Sequence, residues 1–541
     1  MTDPVEQQLF RRVLDALLRE DHLGLSSGGG PDGPGWWQAP HRAGRLRLPV
    51  RPDGFQHTVR LARAEVQVHP PGRARTRRVD TLAGLLALLA PYADTDAEQG
   101  WRVFTDECRQ DLLARRLAEA TRSHTYARVA AARVDTPTGF GGALLDDVLA
   151  AHAGHAVYPT DRCRHGLDEA ELLRYAPEHA PAFALRWLPV PARTLRLHGR
   201  LPDWWPAPRQ AGQVLLPVHP LTADQSAVPV LDGPDITVRP TLSMRTVALD
   251  SDPTTHLKLP LPTASLGARN RRTLAPDSLS DGAAVAALLD RFAAQQPRFA
   301  GRIAHADESV FGHCDDDELR SFLLRRMPTG LERATVVPVA ALAAADPTAG
   351  TVAQRIGGDD PGRLLGSYLD LLLDWHVCLW LRYGVALEAH PQNIQLVLPT
   401  EGPVRLLYKD NDGARLDPRH AGTLRLRDKR MWIRHPGELA DMFVTITLHL
   451  AAAAPLLALA EQGVTVPSPA EALAPRLRAA RDRWGDTPAA RKLVDQILTA
   501  DRLPVKAMLT AGTLLPKHRT GCTDVNKFYR RTGPNYLRSG A

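Results

Sequence analysis

Two kinds of hydrophobic periodicity divide this sequence, and their distribution limits the folds open to it. Through residues 22–275, apolar residues come mainly in short strand-like runs separated by proline or glycine, for example at 183–188, 213–218 and 236–238. From residue 282 onward, apolar residues at three-and-four spacing predict helices at 283–296, 316–326, 362–382, 437–463 and 470–499. Earlier helices are predicted up to residue 21 and at 82–92, 105–122 and 143–152. Because strands and helices are largely segregated, the pattern predicts an α+β fold.

The size and charge of the chain exclude several classes of protein. At 541 residues it exceeds what one hydrophobic core normally organises, so we expect two or three sub-domains. Its 67 basic against 60 acidic residues are a mild imbalance, and no basic tract is dense enough to demand a nucleic acid partner.

Cysteine spacing and hydropathy predict a cytoplasmic protein. The five cysteines are widely scattered and form neither a CxxC pair nor a zinc-like spacing. The N-terminal helix carries charges throughout, unlike a signal peptide, and no segment reaches the roughly 18 uninterrupted apolar residues of a membrane span. We therefore expect a reduced, cytoplasmic protein with no membrane partner.

The most informative stretch is a predicted hairpin inside the helical half of the chain. A helix ends near Gly384, a polar loop follows, and strands are predicted at 393–398 and 404–408. The loop and the returning strand deliver five polar side chains to one end of this hairpin, namely Glu388, His390, Gln392, Asn393 and Asp410. Asparagine and carboxylate oxygens are ligands that Mg²⁺ prefers, usually together with water and substrate phosphates. The hairpin is therefore a candidate Mg-nucleotide site, although the same residues could instead only cap a tight turn.

A second cluster combines hydroxyl groups with cations. Strand alternation predicts Ser243 and Arg245 on one face, where a hydroxyl and a guanidinium can bind the same phosphate. Lys258, the first lysine in the chain, is expected on an adjacent strand, where it could offset charge on a transferring phosphoryl or adenylyl group. Three candidate arginines follow, at positions 269, 271 and 272. On its own, this cluster could equally be a solvated basic face.

A third segment, residues 154–166, follows a predicted helix and places His155, Tyr158 and Arg162 in a loop shaped by proline and glycine. Basic loops of this composition suit polyanions. His152 and His155 are spaced to share a metal ion, but no cysteine or third histidine completes such a site in the sequence nearby.

The order of these motifs resembles that of a known family. Along the chain come Gly-His, Pro and Arg-x-Arg-x-Gly at 154–166, Tyr-Ala-Pro-Glu at 175–178, Val-His-Pro at 218–220, Ser-x-Arg-Thr at 243–246, Lys-Leu at 258–259, Gly-x-Ala-Leu-Glu-Ala-His-x-Gln-Asn at 384–393 and Lys-Asp at 409–410. The ordered set covers roughly residues 140–510. It resembles the siderophore synthetases that act independently of non-ribosomal peptide synthetases (NIS synthetases), the aerobactin-synthetase or IucA/IucC family.

The resemblance implies an ATP-dependent, AMP-forming ligase. Such an enzyme adenylates a carboxylic acid, typically citrate or a related di- or tricarboxylate, and condenses it with an amine or hydroxyl nucleophile. The family's architecture resembles a cupped hand, which here implies an N-terminal lobe over 1–135, β-rich fingers over 136–375 and a helical C-terminal palm over 376–541. Family members are often dimers, so a homodimer is expected.

The resemblance also implies roles for individual residues. The nucleotide would contact His155, Arg162, Ser243, Arg245, Thr246, Lys258, Arg272, Glu388, Gln392, Asn393 and Asp410. Arg269 and Arg271 stay open as alternatives to Arg272 at the phosphates. Mg²⁺ would be bound by Glu388, Asn393 and Asp410, the acid by His390, Arg272 and Lys506, and catalysis would depend on His390, Arg245 and Lys258.

Three departures from the family pattern bear on the substrate more than on the nucleotide. The family usually has histidine where Tyr158 stands, lysine where Arg162 stands and arginine where Lys409 stands.

Two other functions fit parts of the sequence. His390-x-x-Asn393 followed by Asp410-x-Asp412 is similar to the metal-binding loops of small-molecule kinases, although Glu388 stands where such kinases carry a base aspartate. An anion- or nucleic-acid-binding protein is suggested by the sequence pI near 9.3 and by the basic segment 527–531, without a recognised nucleic-acid-binding motif.

Overall fold

The computed structural model describes residues 3–72, 75–224, 230–314, 317–421, 424–522 and 524–538. The first part of the described chain contains α1 Pro4–Arg19, β1 Gly30–Pro31, β2 Trp36–His41, β3 Gly44–Pro52, β4 Val59–Leu61, β5 Val66–His69, β6 Arg77–Val79, α2 Leu82–Leu88 and α3 Thr95–Asp135. The strands form an antiparallel sheet in the order β1-β2-β3-β5-β6, with β4 paired to β3. The predicted N-terminal helix is α1; positions 1 and 2 lie outside the described residues.

The helix α1 is built from a polar N-terminus and one strongly apolar face. The side chain of Asp3 accepts a hydrogen bond from the backbone N–H of Val5, which satisfies one of the free donors at the start of the helix. The apolar face, which includes Phe10 and Leu14, packs on the sheet and on α2 and α3 in a core of its own. This core is distinct from the larger core of the helical C-terminal half, although Met508, Leu509 and Leu514 of that half complete it.

The central part of the chain carries most of its strands. It contains α4 Gly139–Ala153, α5 Glu169–Tyr175, β7 Phe183–Pro191, β8 Leu195–His198, β9 Gln213–Val218, α6 Pro220–Ala223, β10 Leu231–Pro240, β11 Thr246–Leu249, β12 Thr255–Lys258, α7 Pro276–Gln295, β13 Ile303–His305, β14 Asp307–Cys314, β15 Ser321–Arg326, β16 Thr335–Pro338, β17 Ala345–Asp346, β18 Gly350–Thr351, α8 Val352–Gly357 and α9 Pro361–Tyr383. Eight of these strands form an antiparallel sheet in the order β8-β14-β15-β12-β11-β10-β7-β9.

One predicted helix is wrong. Residues 321–326, expected to be helical as part of 316–326, form β15 in the middle of the eight-stranded sheet, between β12 and β14. Five of its six residues are buried, so both faces of the strand are covered and the apolar residues do not alternate. A short continuous apolar run of this kind has no period that separates a strand from a helix.

The last part of the chain is mainly helical around one hairpin. It contains β19 Val385–Ala386, β20 Ile394–Leu398, β21 Arg405–Tyr408, β22 Arg415–Leu416, α10 Gly437–Met442, a π-helix Phe443–Ala453, α11 Ala454–Glu461, α12 Pro469–Trp484, α13 Pro488–Thr499, β23 Arg502–Lys506, a second π-helical turn Thr510–Leu514, α14 Lys517–Thr520 and β24 Tyr529–Pro534. The predicted hairpin is confirmed, because β20 and β21 pair antiparallel with Ile394 opposite Tyr408. The predicted helix 470–499 is two helices, α12 and α13, separated at 485–487.

Two long apolar helices form the core beneath the hairpin. The segments Pro361–Tyr383 and Gly437–Glu461 have the length and hydropathy to cross a membrane, but 72% and 83% of their apolar windows are buried inside the protein. His376 of α9 links them, since its ring nitrogens form hydrogen bonds with Thr447 at 2.8 Å and with Tyr408 at 3.0 Å. The end of β21 is thereby fixed to the helical core immediately before Lys409 and Asp410.

The helix α1 and the chain near residue 510 are in direct contact. The buried carboxylate of Glu20, at the end of α1, accepts hydrogen bonds from the backbone N–H groups of Leu509 and Thr510 and from the hydroxyl of Thr510, at 2.7–3.0 Å. Gly100 of α3 packs against the backbone of Leu514, and a Cβ at this position would overlap the Leu514 carbonyl. The division at residues 135 and 375 stays a prediction, although α9 crosses the second of these borders.

We expect Gly100→Ala to destabilise the protein by about 1–3 kcal/mol, because the added methyl group forces α3 away from residues 510–514. Thermal unfolding measures the effect. Gly30→Ala is the matched control, since a Cβ at Gly30 meets no atom within 4 Å. Equal unfolding temperatures for the two variants would contradict this close packing.

Candidate active site

The centre of the site is the carboxylate of Asp410. The side chain of Lys258 donates to Asp410 Oδ1 at 2.6 Å and lies 3.4 Å from Asp412 Oδ2. Lys258 ends β12, opposite Thr246 of β11, so the prediction that it lies on an adjacent strand is confirmed. Asp410 follows β21 in the left-handed region at φ 59°, a strained conformation for a residue other than glycine, which turns its side chain toward the eight-stranded sheet.

A second cation, Arg325, also binds Asp410. This fully buried guanidinium of β15 donates to Asp410 Oδ1 and to Glu308 Oε1, both at 2.6 Å. Burial alone would lower the pKa of Arg325, but Asp410 and Glu308 together raise it above its ordinary value. Burial alone would raise the pKa of Asp410, but Arg325 and Lys258 hold it well below its usual range. Asp410 is therefore a permanent anion.

The Ser243 and Arg245 segment is a turn and not a strand. Residues 241–245 precede β11, and Met244 within them has φ 62°, so the prediction that Ser243 and Arg245 share a strand face is wrong. The Ser243 hydroxyl accepts a hydrogen bond from the N–H of Thr246 at 3.0 Å. Arg245 donates to the carbonyl of Thr273 at 2.7 Å, and burial lowers its pKa. The left-handed residue explains the error, because it breaks the alternation that strand reasoning assumes.

The three candidate arginines have different surroundings. Arg271 is exposed, and Arg269 contacts the carbonyl of Ala511 at 3.4 Å. Arg272 is turned inward, where it donates to the hydroxyl of Ser265 at 2.5 Å and to its carbonyl at 3.1 Å. Burial, together with the nearby charges of Arg245 and Arg164, lowers the pKa of Arg272 to about 9. The geometry therefore favours Arg272 as the arginine that faces a ligand.

The His155 loop forms another wall of the site. The Nδ1 atom of His155 accepts the N–H groups of Val157 at 3.2 Å and Tyr158 at 2.9 Å, so its proton belongs on Nε2. Burial, together with the charges of His390, Arg12 and Lys506, lowers the pKa of His155 to about 3, although the charge of Asp161 opposes this shift. The imidazole is therefore a neutral hydrogen-bond donor at neutral pH.

Arg162 lies in a different group of residues from the one predicted. Its guanidinium donates to the carbonyl of His152 and lies near Glu178. Its neighbour Arg164, which the motif analysis did not select, lies near Arg272. The role of Arg162 at the nucleotide stays a prediction.

His390 is surrounded by charges of both signs. Burial, together with the charges of Lys506 and Lys527, lowers its pKa to about 4, while Glu388 and Asp410 oppose this shift. Glu388 forms an ion pair with Lys527 at 2.6 Å and lies 3.8 Å from Lys506 Nζ. Gly413 allows this arrangement, because a Cβ there would overlap Glu388.

The predicted Mg²⁺ ligands are only partly brought together. Among the described residues no three histidine, cysteine, aspartate or glutamate side chains form a metal-holding group. Glu388 already forms an ion pair with Lys527. Asp410 accepts hydrogen bonds from Lys258 and Arg325 on Oδ1, and no donor in the described part of the chain contacts its Oδ2. The N–H of Lys409 donates to the carbonyl of Asn393 at 3.1 Å, which places Asn393 beside Asp410. One carboxylate oxygen and one amide oxygen suit Mg²⁺ if phosphates and water complete the shell.

Several residues that position the site have no sequence signal of their own. Arg12 of α1 donates to the carbonyls of His155, Tyr158 and Pro159, at 2.5–3.2 Å, and so holds the His155 loop. The buried carboxylate of Glu107 on α3 accepts the hydroxyls of Tyr158, Thr160 and Thr513, at 2.5–2.9 Å. These contacts join segments far apart in the chain, which no local spacing could reveal.

We expect Arg325→Met to destabilise the folded protein by about 3–5 kcal/mol, because Asp410 and Glu308 lose the guanidinium that both of them bind. Urea unfolding followed by circular dichroism measures the change. The exposed Arg425→Met is the control. An unchanged midpoint for Arg325→Met would show that the network does not stabilise the fold.

The low pKa of His390 predicts proton uptake on unfolding. Between pH 4 and its ordinary value of about 6.5, His390 is neutral when folded and protonated when unfolded, so stability falls as pH falls through this window. Potentiometric titration of folded and urea-unfolded protein should show that His390→Gln removes about one proton from the uptake near pH 5. His435→Gln, at a largely exposed ring, should leave the uptake unchanged.

Two family descriptions match the chain. Residues 149–344 match the IucA/IucC family, and residues 363–520 match a family described as ferric iron reductase FhuF-like transporter. The chain is similar to the rhizobactin siderophore biosynthesis protein RhbC of Rhizobium meliloti, with 28% identity over 332 residues, 48% of this chain and 52% of that protein. It is also similar to the uncharacterized protein y4xN of Sinorhizobium fredii, with 26% identity over 425 residues, 66% of this chain and 67% of that protein. The matches thus span between half and two thirds of these relatives.

Solved structures share the fold over nearly the whole chain. ATP-bound aerobactin synthetase IucA from Klebsiella pneumoniae has a TM-score of 0.68 at 18% identity, covering 98% of this chain and 99% of that one. The petrobactin biosynthesis protein AsbB from Bacillus anthracis has a TM-score of 0.72 at 16% identity, covering 98% and 95%. The predicted α+β fold is confirmed.

Proposed function

Because the chain belongs to the IucA/IucC family of NIS siderophore synthetases, we propose that it is an ATP-dependent, AMP-forming ligase. It would adenylate a carboxylic acid, citrate or a related di- or tricarboxylate, and condense it with an amine or hydroxyl to form an amide or ester. Siderophore synthesis is supported by the rhizobactin relative and by the likeness to aerobactin and petrobactin proteins. A cupped-hand arrangement of the three predicted lobes, a cytoplasmic location and a homodimer belong to the same proposal.

The observation that carries this proposal is a pair of partly buried guanidinium groups, those of Arg245 and Arg272, that form no ion pair with a carboxylate among the described residues. Their hydrogen bonds within the described part of the chain go to neutral oxygens of Thr273 and Ser265. The charges of Asp410 and Asp412 act on Arg245, but both carboxylates are bound to Lys258. Burying an unpaired charge is costly, and two adjacent cations repel each other. An anionic ligand such as a nucleoside triphosphate would supply the negative charge that these two guanidinium groups lack.

The residues around this pair suit carboxylate activation. The acid attacks the α-phosphorus of ATP, an acyl-adenylate forms, and pyrophosphate leaves. Arg245, Arg272 and Lys258 would stabilise the charge on the departing phosphates. Asp410 holds the ammonium group of Lys258 in place for this role, at 2.6 Å.

Mg²⁺ fits this proposal at Asp410 Oδ2 and Asn393, where it would neutralise phosphate charge. Glu388 is left out of this set, because Lys527 is its partner. The three-residue metal site expected from the sequence is thereby reduced to two protein ligands in our proposal.

His390 suits the second half of the reaction. An attacking amine must lose a proton as the amide forms, and AMP leaves as the new bond closes. A neutral imidazole with a pKa of about 4 is an uncharged hydrogen-bonding group for the acid and a weak proton acceptor for the nucleophile. The electrostatic effect of Lys506 on His390 supports a role for these two residues in binding a carboxylate of the acid.

We expect Arg245→Ala to lower acid-dependent pyrophosphate release by about 100-fold or more, because one phosphate-facing cation is lost. The measurement is pyrophosphate release with ATP, Mg²⁺ and a panel of citrate, succinate and 2-oxoglutarate, each with and without hydroxylamine or a diamine. Arg425→Ala, at an exposed arginine, is the control and should keep the wild-type rate.

The products separate the proposal from its alternatives. Formation of ADP without pyrophosphate would indicate the small-molecule kinase instead. Salt-sensitive DNA binding without ATP turnover would indicate the nucleic-acid-binding alternative; Lys527, on which that alternative partly depends, is turned inward against Glu388. Near-normal pyrophosphate release by Arg245→Ala would contradict the role given to Arg245.

A further inference from the structure

Two buried lysines face a single carboxylate in the inner part of the site. Lys506 ends β23, and Lys527 lies in the short helical turn Val525–Lys527 that precedes β24. Their side chains are 8% and 9% exposed, and their Nζ atoms lie 3.8 and 2.6 Å from the two oxygens of Glu388. The pairing of β23 with β24 sets Lys506 opposite Tyr529 and fixes the two lysines relative to each other.

The two ammonium groups share one carboxylate, that of Glu388, in the ion pairs of the described residues. The charge of Asp524 also raises the pKa of Lys506, but Asp524 accepts a hydrogen bond from Arg415 at 3.2 Å as well. Two carboxylates are thus shared among the three cations Lys506, Lys527 and Arg415. Burial and the charge of Lys527 lower the pKa of Lys506 to about 8, as expected for two close cations. An additional carboxylate would relieve this repulsion.

The pair belongs to the same cluster as His390, which is assigned to the acid in the proposed function. The N–H of His390 donates to the carbonyl of Glu388 at 2.9 Å, and the charges of Lys506 and Lys527 both lower the pKa of His390. The charges of His390 and Lys506 also lower the pKa of His155.

We propose that Lys527 is a specificity-determining residue, which together with Lys506 binds a carboxylate of the acid other than the one that is activated. This inference rests on the proposed function. Lys527 distinguishes acids with a second carboxylate from otherwise similar acids that carry an uncharged group there. The competing explanation is that Lys527 only neutralises Glu388, and a suitable variant pair separates the two.

The test compares acids that differ by one charge. Acid-dependent pyrophosphate release is measured with citrate and succinate and with the monoamide of each. Lys527→Met should raise KM for the parent acid about tenfold or more, toward that of the monoamide, while KM for the monoamide and for ATP stays within twofold. Lys527→Arg should restore part of the preference, and Lys517→Met, at an exposed lysine, is the control.

A double variant separates substrate binding from neutralisation of Glu388. Glu388→Gln/Lys527→Met removes both members of the ion pair and retains Lys506, and it also serves if the single variant fails to fold. Persistent loss of preference for the parent acid over its monoamide supports the proposal. Recovery of that preference in the double variant would overturn it, as would equal losses for parent acid and monoamide in Lys527→Met.

Binding without turnover keeps this inference distinct from the proposed function. Calorimetric titration of wild type and Lys527→Met with citrate or succinate alone needs no ATP chemistry. Binding that is weakened tenfold by Lys527→Met, with no pyrophosphate release by wild type, would support the lysine site and contradict the ligase. Absence of binding of either acid to the wild type in both assays would overturn the lysine site.

Discussion

The ion network centred on Asp410 is the constraint on which the site depends. Its carboxylate lies at the end of the hairpin, while Lys258 and Arg325 come from the neighbouring strands β12 and β15. The β20–β21 hairpin and the eight-stranded sheet are thus joined by an ion network at the point where the nucleotide is proposed to bind. Since a buried ion pair tolerates neither the loss of a partner nor a poor fit, this junction fixes the distance between the hairpin and the sheet.

Positive charge is distributed unevenly around this junction. At Asp410 the cations Lys258 and Arg325 form ion pairs with Asp410, Asp412 and Glu308, whereas Lys506 and Lys527 share Glu388 and, among the described residues, Arg245 and Arg272 form no ion pair. The first group stabilises the fold, and the second faces the proposed ligands. His155 and His390 are neutral, so they add hydrogen-bonding capacity without adding charge.

The sequence could predict what local periodicity and ordered motifs encode. The hairpin, the long helix α9, the adjacency of Lys258 and the grouping of Asn393 with Asp410 followed from such patterns. Residues 321–326 were mispredicted because a strand buried on both faces has no alternation, and Ser243 with Arg245 because Met244 is left-handed. Arg325, Lys527 and Arg12 could not be foreseen, since their partners Asp410, Glu388 and His155 lie 85, 139 and 143 positions away in the chain.

The contact between Glu20 and Leu509 joins residues 489 positions apart, which has a consequence during synthesis. A ribosome adds roughly 5–20 residues per second, so α1 emerges on the order of 25–100 s before the segment that it holds. During that interval the apolar face of α1 can pack on the N-terminal sheet and on α2 and α3, all within residues 9–112. The N-terminal lobe can therefore fold first, and the C-terminal segment packs on it after synthesis.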